Sequence, residues 1–169
     1  RSLQKLGTDY LDLYLIHWPR PDDLTAEWQQ LDRDTWRALE DLYRAGRVRA
    51  IGVSNFLPHH LRSLMKTAEV MPMVNQIEFH PGYPQTYTVE FCKAHGILPE
   101  AWSPLGRTRV LQDERLAGVA AKYGKTVAQL CVRFALQRGV VPLPKSSSPV
   151  RMAANLDVFD FVISDEDMD

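Results

Sequence analysis

Polar side chains in this chain recur at one kind of place, the end of a short apolar run. His17 ends Leu11–His17, and Ser54 and Asn55 follow Val48–Val53. Gln76 and Glu78 lie within Val74–Phe79, Trp102 and Ser103 close Leu98–Trp102, and Lys145 and Ser146 follow Val140–Pro144. An imidazole can exchange a proton with a bound molecule, hydroxyl and amide groups can fix its orientation, and an indole offers a flat stacking face. The run Lys145-Ser146-Ser147-Ser148 precedes a helix starting near Pro149, with Arg151 in its first turn. Free N–H groups and the positive dipole end of a helix, flanked by cations and hydroxyls, suit a phosphate. Each residue also has a plainer explanation. His17 can be a packed or loop histidine, and Ser54-Asn55 can cap a local turn. Gln76 can satisfy buried backbone, Trp102 can be core, and Lys145 can be a solvated charge. The joint pattern is what points to a site.

The elements that must position these residues alternate. Amphipathic helices are predicted near Asp34–Ala45, where Trp36, Leu39, Leu42 and Tyr43 recur at helical spacing, and near His59–Glu69, Tyr87–His95, Glu114–Tyr123, Val127–Arg138 and Val150–Asn155. Gly46, Gly96, Gly124 and Gly139 act as stop signals, and Thr126 as an N-cap. A proline-containing loop follows the first strand, from Pro19 to about Asp22. Strands separated by helices imply a parallel sheet with right-handed crossovers, so the fold class is α/β. An open doubly wound sheet and a closed β/α barrel both fit. No G-x-G-x-x-G or Walker pattern occurs, which favours the barrel, where strand ends converge on one functional face.

Composition bounds the rest. The chain has 169 residues, 45% of them hydrophobic and 24% charged, ordinary values for a globular domain. We read residues 1–169 as a single domain. The net charge of −1 gives no field for nucleic acid or an anionic membrane, and neither is expected as a partner. Cys92 and Cys131 are the only cysteines; they make no disulfide framework, and two buried thiols in a cytoplasmic protein are expected. No metal site is expected, since His59-His60, His80 and His95 lack paired ligand spacing. The chain opens on Arg1 inside a helical stretch, Arg1–Leu6, so the lack of a signal peptide carries no weight.

With these residues in view, the chain resembles the aldo-keto reductase family, closest in flavour to bacterial members of the diketogulonate-reductase type. The match rests on LGTDYLDLYLIHWP (Leu6–Pro19), GRVRAIGVSNF (Gly46–Phe56), VNQIEFHP (Val74–Pro81), AWSPLG (Ala101–Gly106) and VVPLPKSSSPVRMAANL (Val140–Leu156), in the family's order over nearly the whole chain. The resemblance implies a (β/α)8 TIM barrel, of which the five β/α units here would be strands four to eight. It implies NADPH-dependent reduction of aldehydes or ketones, a small-molecule carbonyl substrate, and no metal.

Residue roles are implied as well. His17 matches the active-site histidine that orients the carbonyl. Ser54, Asn55 and Gln76 match the residues holding the nicotinamide carboxamide, and Trp102 the aromatic stacked on the ring. Ser103, Leu105 and Gly106 match the loop near the pyrophosphate. Lys145, Ser146 and Arg151 match the adenosine 2′-phosphate site, which favours NADPH over NADH, and Asn155 matches an adenine contact. Ala154 stands where members often carry a glutamate. The family's catalytic aspartate, tyrosine and lysine would lie before Arg1, and none of the six tyrosines matches the proton donor. On that reading these residues alone lack activity and self-associate, while the full-length protein is a monomer. A cofactor-binding or regulatory protein on the same scaffold is the alternative.

Overall fold

The computed structural model describes residues 1–19 and 27–169. The part of the predicted proline loop from Arg20 to Asp22 lies outside the described residues. The element order is α1 (Ser2–Leu6), β1 (Leu11–Ile16), α2 (Trp28–Arg44), β2 (Val48–Ser54), α3 (Pro58–Met65), β3 (Val74–Glu78), α4 (Thr86–Ala94), β4 (Leu98–Trp102), a 3-10 segment (Gly106–Gln112), α5 (Glu114–Lys122), α6 (Val127–Gln137), β5 (Val141–Pro142), α7 (Pro149–Leu156) and α8 (Asp165–Met168). The strands form one five-stranded sheet in chain order. The pairs β1–β2, β2–β3 and β4–β5 are parallel. Among the described residues no helix is long and apolar enough to cross a membrane.

The contacts divide the chain into two units. The first comprises Arg1–Gln76 and Glu90–Leu98. Its core gathers Trp36, Leu39, Ile51, Val53, Phe56, Leu61, Leu64, Cys92 and Ile97. Trp36 is buried and its indole N–H donates to the Val70 carbonyl at 3.0 Å, so the one polar atom of the ring is satisfied inside the core. The predicted periodicity holds for Trp36 and Leu39, but Leu42 is exposed. β2 is buried over nearly its whole length, as a strand flanked by parallel neighbours should be. Gly52 shows how closely those neighbours approach. A Cβ there would lie 2.5 Å from the Val74 carbonyl oxygen and 2.9 Å from Leu15 Cδ2.

The second unit comprises Ile77–Val89 and Pro99–Asp169. Its core is built from Ile77, Phe79, Ala101, Leu130, Phe134, Val140 and Ile163, with Phe79 stacked on Phe134 at 5.6 Å between ring centroids. α6 starts with a reciprocal capping box between Thr126 and Gln129. Side chains of α6 then hold the stretch before α8. Gln129 donates to the Asp157 carbonyl at 2.9 Å, and Gln137 both donates to the Ile163 carbonyl and accepts from its N–H.

The elements depart from the sequence reading at several places, α3 among them, which ends at Met65 rather than Glu69. α2 begins at Trp28, well before Asp34, without a side-chain cap to announce it. The last strand shrinks from Val140–Pro144 to Val141–Pro142, because Pro142 and Pro144 have no N–H for a ladder. The 3-10 segment after β4 was not expected. Neither was α8, although Ser164 followed by Asp165-Glu166-Asp167 is a recognisable N-cap with an acidic first turn.

Candidate functional site

In the first unit the predicted residues at the ends of β1 and β2 and in the middle of β3 are joined by short hydrogen bonds. The main-chain oxygen of Gln76 accepts from the Asn55 N–H at 2.9 Å and from the Ser54 hydroxyl at 2.7 Å. The Asn55 amide nitrogen donates to the main-chain oxygen of His17 at 2.9 Å and to Ser54 Oγ at 3.1 Å. Asn55 itself is left-handed, with φ 64°, a conformation asparagine tolerates better than most residues. Ser54 is buried and its only proton is committed to Gln76, so toward a bound molecule it presents acceptor capacity. His17 is exposed, with its ring edge-on to Trp18 at 6.2 Å.

Sequence reasoning missed the support beneath this turn. Asn75 is fully buried, and its amide donates to the Phe56 carbonyl at 2.9 Å and contacts Cys92 Sγ at 3.4 Å. It stands directly before Gln76 and holds the residue directly after Asn55. A polar residue in an apolar strand was the available signal.

In the second unit Trp102 is half-buried, and the Arg107 guanidinium lies over its ring at 5.4 Å. Ser103 has φ 48°, and a left-handed run follows at Gly106, Arg107 and Thr108. The turn is closed by Gly106 N–H donating to the Ser103 carbonyl and Thr108 N–H to the Leu105 carbonyl, both at 2.8 Å. Gly106 is buried, and a Cβ there would meet Val110 Cγ1 at 2.8 Å. Beyond β5, Ser148 caps α7 by accepting from the Arg151 N–H at 3.5 Å, and Ser146 Oγ accepts from the Ser148 N–H at 3.1 Å. Lys145 and Arg151 are exposed, and neither is in an ion pair among the described residues. Asn155, near the end of α7, lines an apolar groove of about 460 Å³ with Met152, Leu156 and Phe159. No group of three or more His, Cys, Asp or Glu among the described residues is placed to hold a metal ion.

A parallel sheet whose strands end in such residues, with no nucleotide-binding glycine motif, defines a class. The chain belongs to the Aldo/keto reductase family, whose model matches residues 1–169. It is 53% identical to the glyoxal reductase of Bacillus subtilis over 169 residues, all of this chain and 58% of that protein. An aldo/keto reductase from Brucella melitensis superposes with a TM-score of 0.89 at 46% identity, covering 99% of this chain and 62% of that one. An aldo-keto reductase of Bombyx mori, in complex with NADP, superposes with a TM-score of 0.86 at 37% identity, covering 99% and 58%. The fold is therefore the TIM-barrel-type α/β fold of that family, here with a parallel five-strand sheet. The chain spans less than two thirds of the length of each of these relatives.

Proposed function

We propose that these residues bind NADPH and serve the reversible reduction of an aldehyde or ketone to an alcohol. The observation that carries the reading is the tie between Ser54, Asn55, Gln76 and His17. It brings the hydroxyl of Ser54 and the amide of Asn55, at the end of β2, against the main chain of Gln76 within β3 and of His17 just after β1. In this reading Ser54, Asn55 and Gln76 hold the nicotinamide carboxamide, and His17 orients the substrate carbonyl. The indole of Trp102 stacks on the nicotinamide ring, and the turn from Ser103 through Leu105 to Gly106 lies near the pyrophosphate. Lys145, Ser146 and Arg151 take the 2′-phosphate, and Asn155 the adenine.

The chemistry follows from these roles. When bound, the cofactor supplies the hydride. The chain's part is to hold one face of the ring toward the substrate and shield the other, which converts an encounter into an oriented, effectively unimolecular step. Charge-assisted bonds from Lys145 and Arg151 prefer the cofactor with the extra phosphate. Carbonyl reduction also needs a proton at the carbonyl oxygen, and the reading assigns that donor to none of the tyrosines here. The five β/α units read as strands four to eight of the eight-stranded barrel.

The test is titration of NADPH and NADH into the protein, followed by tryptophan quenching. Saturable binding that favours NADPH, and loses that preference in Lys145→Ala and Arg151→Ala, is the expected result. Absence of cofactor binding overturns the reading. A panel of carbonyl compounds that includes glyoxal, the compound in the name of the Bacillus subtilis relative, then assays NADPH oxidation. These residues alone are expected to bind cofactor without turnover.

A further inference from the structure

His80 follows β3 by two residues, and one edge of its imidazole, Cε1 and Nδ1, lies near two glycines. A methyl group on Gly82 would lie 3.4 Å from ring atoms Cε1 and Nδ1, and one on Gly106 would lie 3.5 Å from the same atoms. The main chain that carries the ring is held as well. Tyr83 N–H donates to the His80 carbonyl at 2.7 Å, His80 N–H donates to the Tyr83 carbonyl at 3.4 Å, and Gln85 donates to the Glu78 carbonyl at 2.6 Å. Nε2 lies 3.8 Å from Glu78 Oε1, while Nδ1 is buried with no hydrogen-bond partner among the described residues. A phenyl ring would fill this space without stranding a polar atom, so packing alone does not account for a histidine here.

We propose that His80 is a positioning residue for dinucleotide binding: its ring lies beside Gly106 and thereby sets the Ser103–Gly106 turn. This rests on the reading above, which assigns that turn to the pyrophosphate. Gly106 is left-handed and closely packed, with φ 52° and no room for a side chain. With no side chain at Gly106 to yield, a ring displaced toward the turn meets its main chain directly. Burial and two charged groups act on the charge of the ring. Burial holds the imidazole below its ordinary protonation range, the Glu78 carboxylate works against that, and the Arg109 guanidinium adds to it. The Tyr83 ring, 6.3 Å away, is the remaining titratable neighbour. Protonation puts a hydrogen on both ring nitrogens, and the buried Nδ1 has no acceptor to receive its share. The charged ring leaves its place, the turn loses its support, and cofactor binding weakens.

The experiment is fluorescence titration of NADP+ and NAD+ into the unmutated protein and into His80→Gln, Glu78→Gln and Arg109→Gln across the range where histidine titrates, roughly pH 5 to 8. In the unmutated protein affinity for NAD+, which has no 2′-phosphate of its own to titrate, falls as pH drops. His80→Gln binds about tenfold more weakly at the upper end, and its NAD+ affinity is flat with pH. Glu78→Gln moves the midpoint to lower pH and Arg109→Gln moves it to higher pH, shifts that a merely structural role would not produce. A His80→Gln protein that binds with the unmutated affinity and pH profile overturns the inference. So do unmoved midpoints in the two charge variants, which decide the matter if His80→Gln fails to fold by circular dichroism. If the unmutated protein binds NADP+ in preference to NAD+ and loses that preference in Arg151→Ala, the functional reading stands whatever becomes of His80. If it binds neither dinucleotide, both fall.

Discussion

The Asn55 amide donates to the main-chain oxygen of His17, 38 residues earlier in the chain, at 2.9 Å. Its own N–H reaches the Gln76 carbonyl at the same distance, so a single residue at the end of β2 ties together the chain just after β1 and the middle of β3. Replacement by alanine removes the side-chain bonds and leaves a residue with a Cβ in the left-handed region. Asn55→Ala should lose about 1–3 kcal/mol of stability in urea unfolding followed by circular dichroism. Asn55→Gly removes the same bonds but tolerates φ 64°, and should lose less. Equal stability of all three proteins would mean the tie contributes nothing.

Gly52 tests the packing between the strands of the first unit. Its missing Cβ would sit 2.5 Å from a backbone oxygen, that of Val74, which cannot rotate away as a side chain can. Gly52→Ala should cost about 1–3 kcal/mol by forcing the backbone apart. Val74 stands two residues before Gln76, so the variant should also weaken NADPH binding in the titration described above. Unchanged unfolding would show that the strands yield freely there.

The two thiols should be silent in the native protein. Cys92 and Cys131 are fully buried, and burial pushes both thiols up, that of Cys131 to about 12. The thiolate is the reactive form. At mildly alkaline pH both should resist a disulfide reagent until denaturant is added, then react together. Fast modification of either in the folded protein would contradict its placement.

Asp167 should contribute to the acid sensitivity of the second unit. Its carboxylate accepts from Tyr123 Oη at 2.7 Å and Ser164 Oγ at 3.2 Å, and it pairs with Lys122. The Lys122 ammonium first, then the two hydroxyls, hold its pKa below the ordinary aspartate value of 3.8. A carboxyl with a depressed folded pKa stabilises fully above its unfolded value, and that stability is lost as pH falls through the folded one. Melting temperature should therefore drop below about pH 4, and Asp167→Asn should show a shallower drop over that window. Identical acid limbs would remove Asp167 from the account.

Much of the fold is legible in residue order because its signals are local. Alternation of apolar runs with helical periodicity gives the strands and most helices, and Thr126 with Gln129 marks the start of α6. The misses have local causes too. Trp28–Arg33 has no cap, and Pro142 and Pro144 cannot complete the strand their apolar neighbours suggest. The residues proposed for the site were picked out by their places within and after the strands, whereas Asn75 and His80 were not singled out as supports. Their roles depend on which main-chain groups lie opposite them.

By itself the sequence determined the family, the order of strands and helices, and which residue types end each strand, since these follow from side-chain periodicity and motifs. Only the tertiary structure decided that Asn55 holds His17, that Gly52 sits against the Val74 carbonyl, and that the His80 ring lies near Gly106 with an unmatched nitrogen. Those relations join residues from different segments of the chain. Hydrogen bonds and close contacts act over a few ångströms, and that proximity is created by folding and is not written in the spacing along the chain.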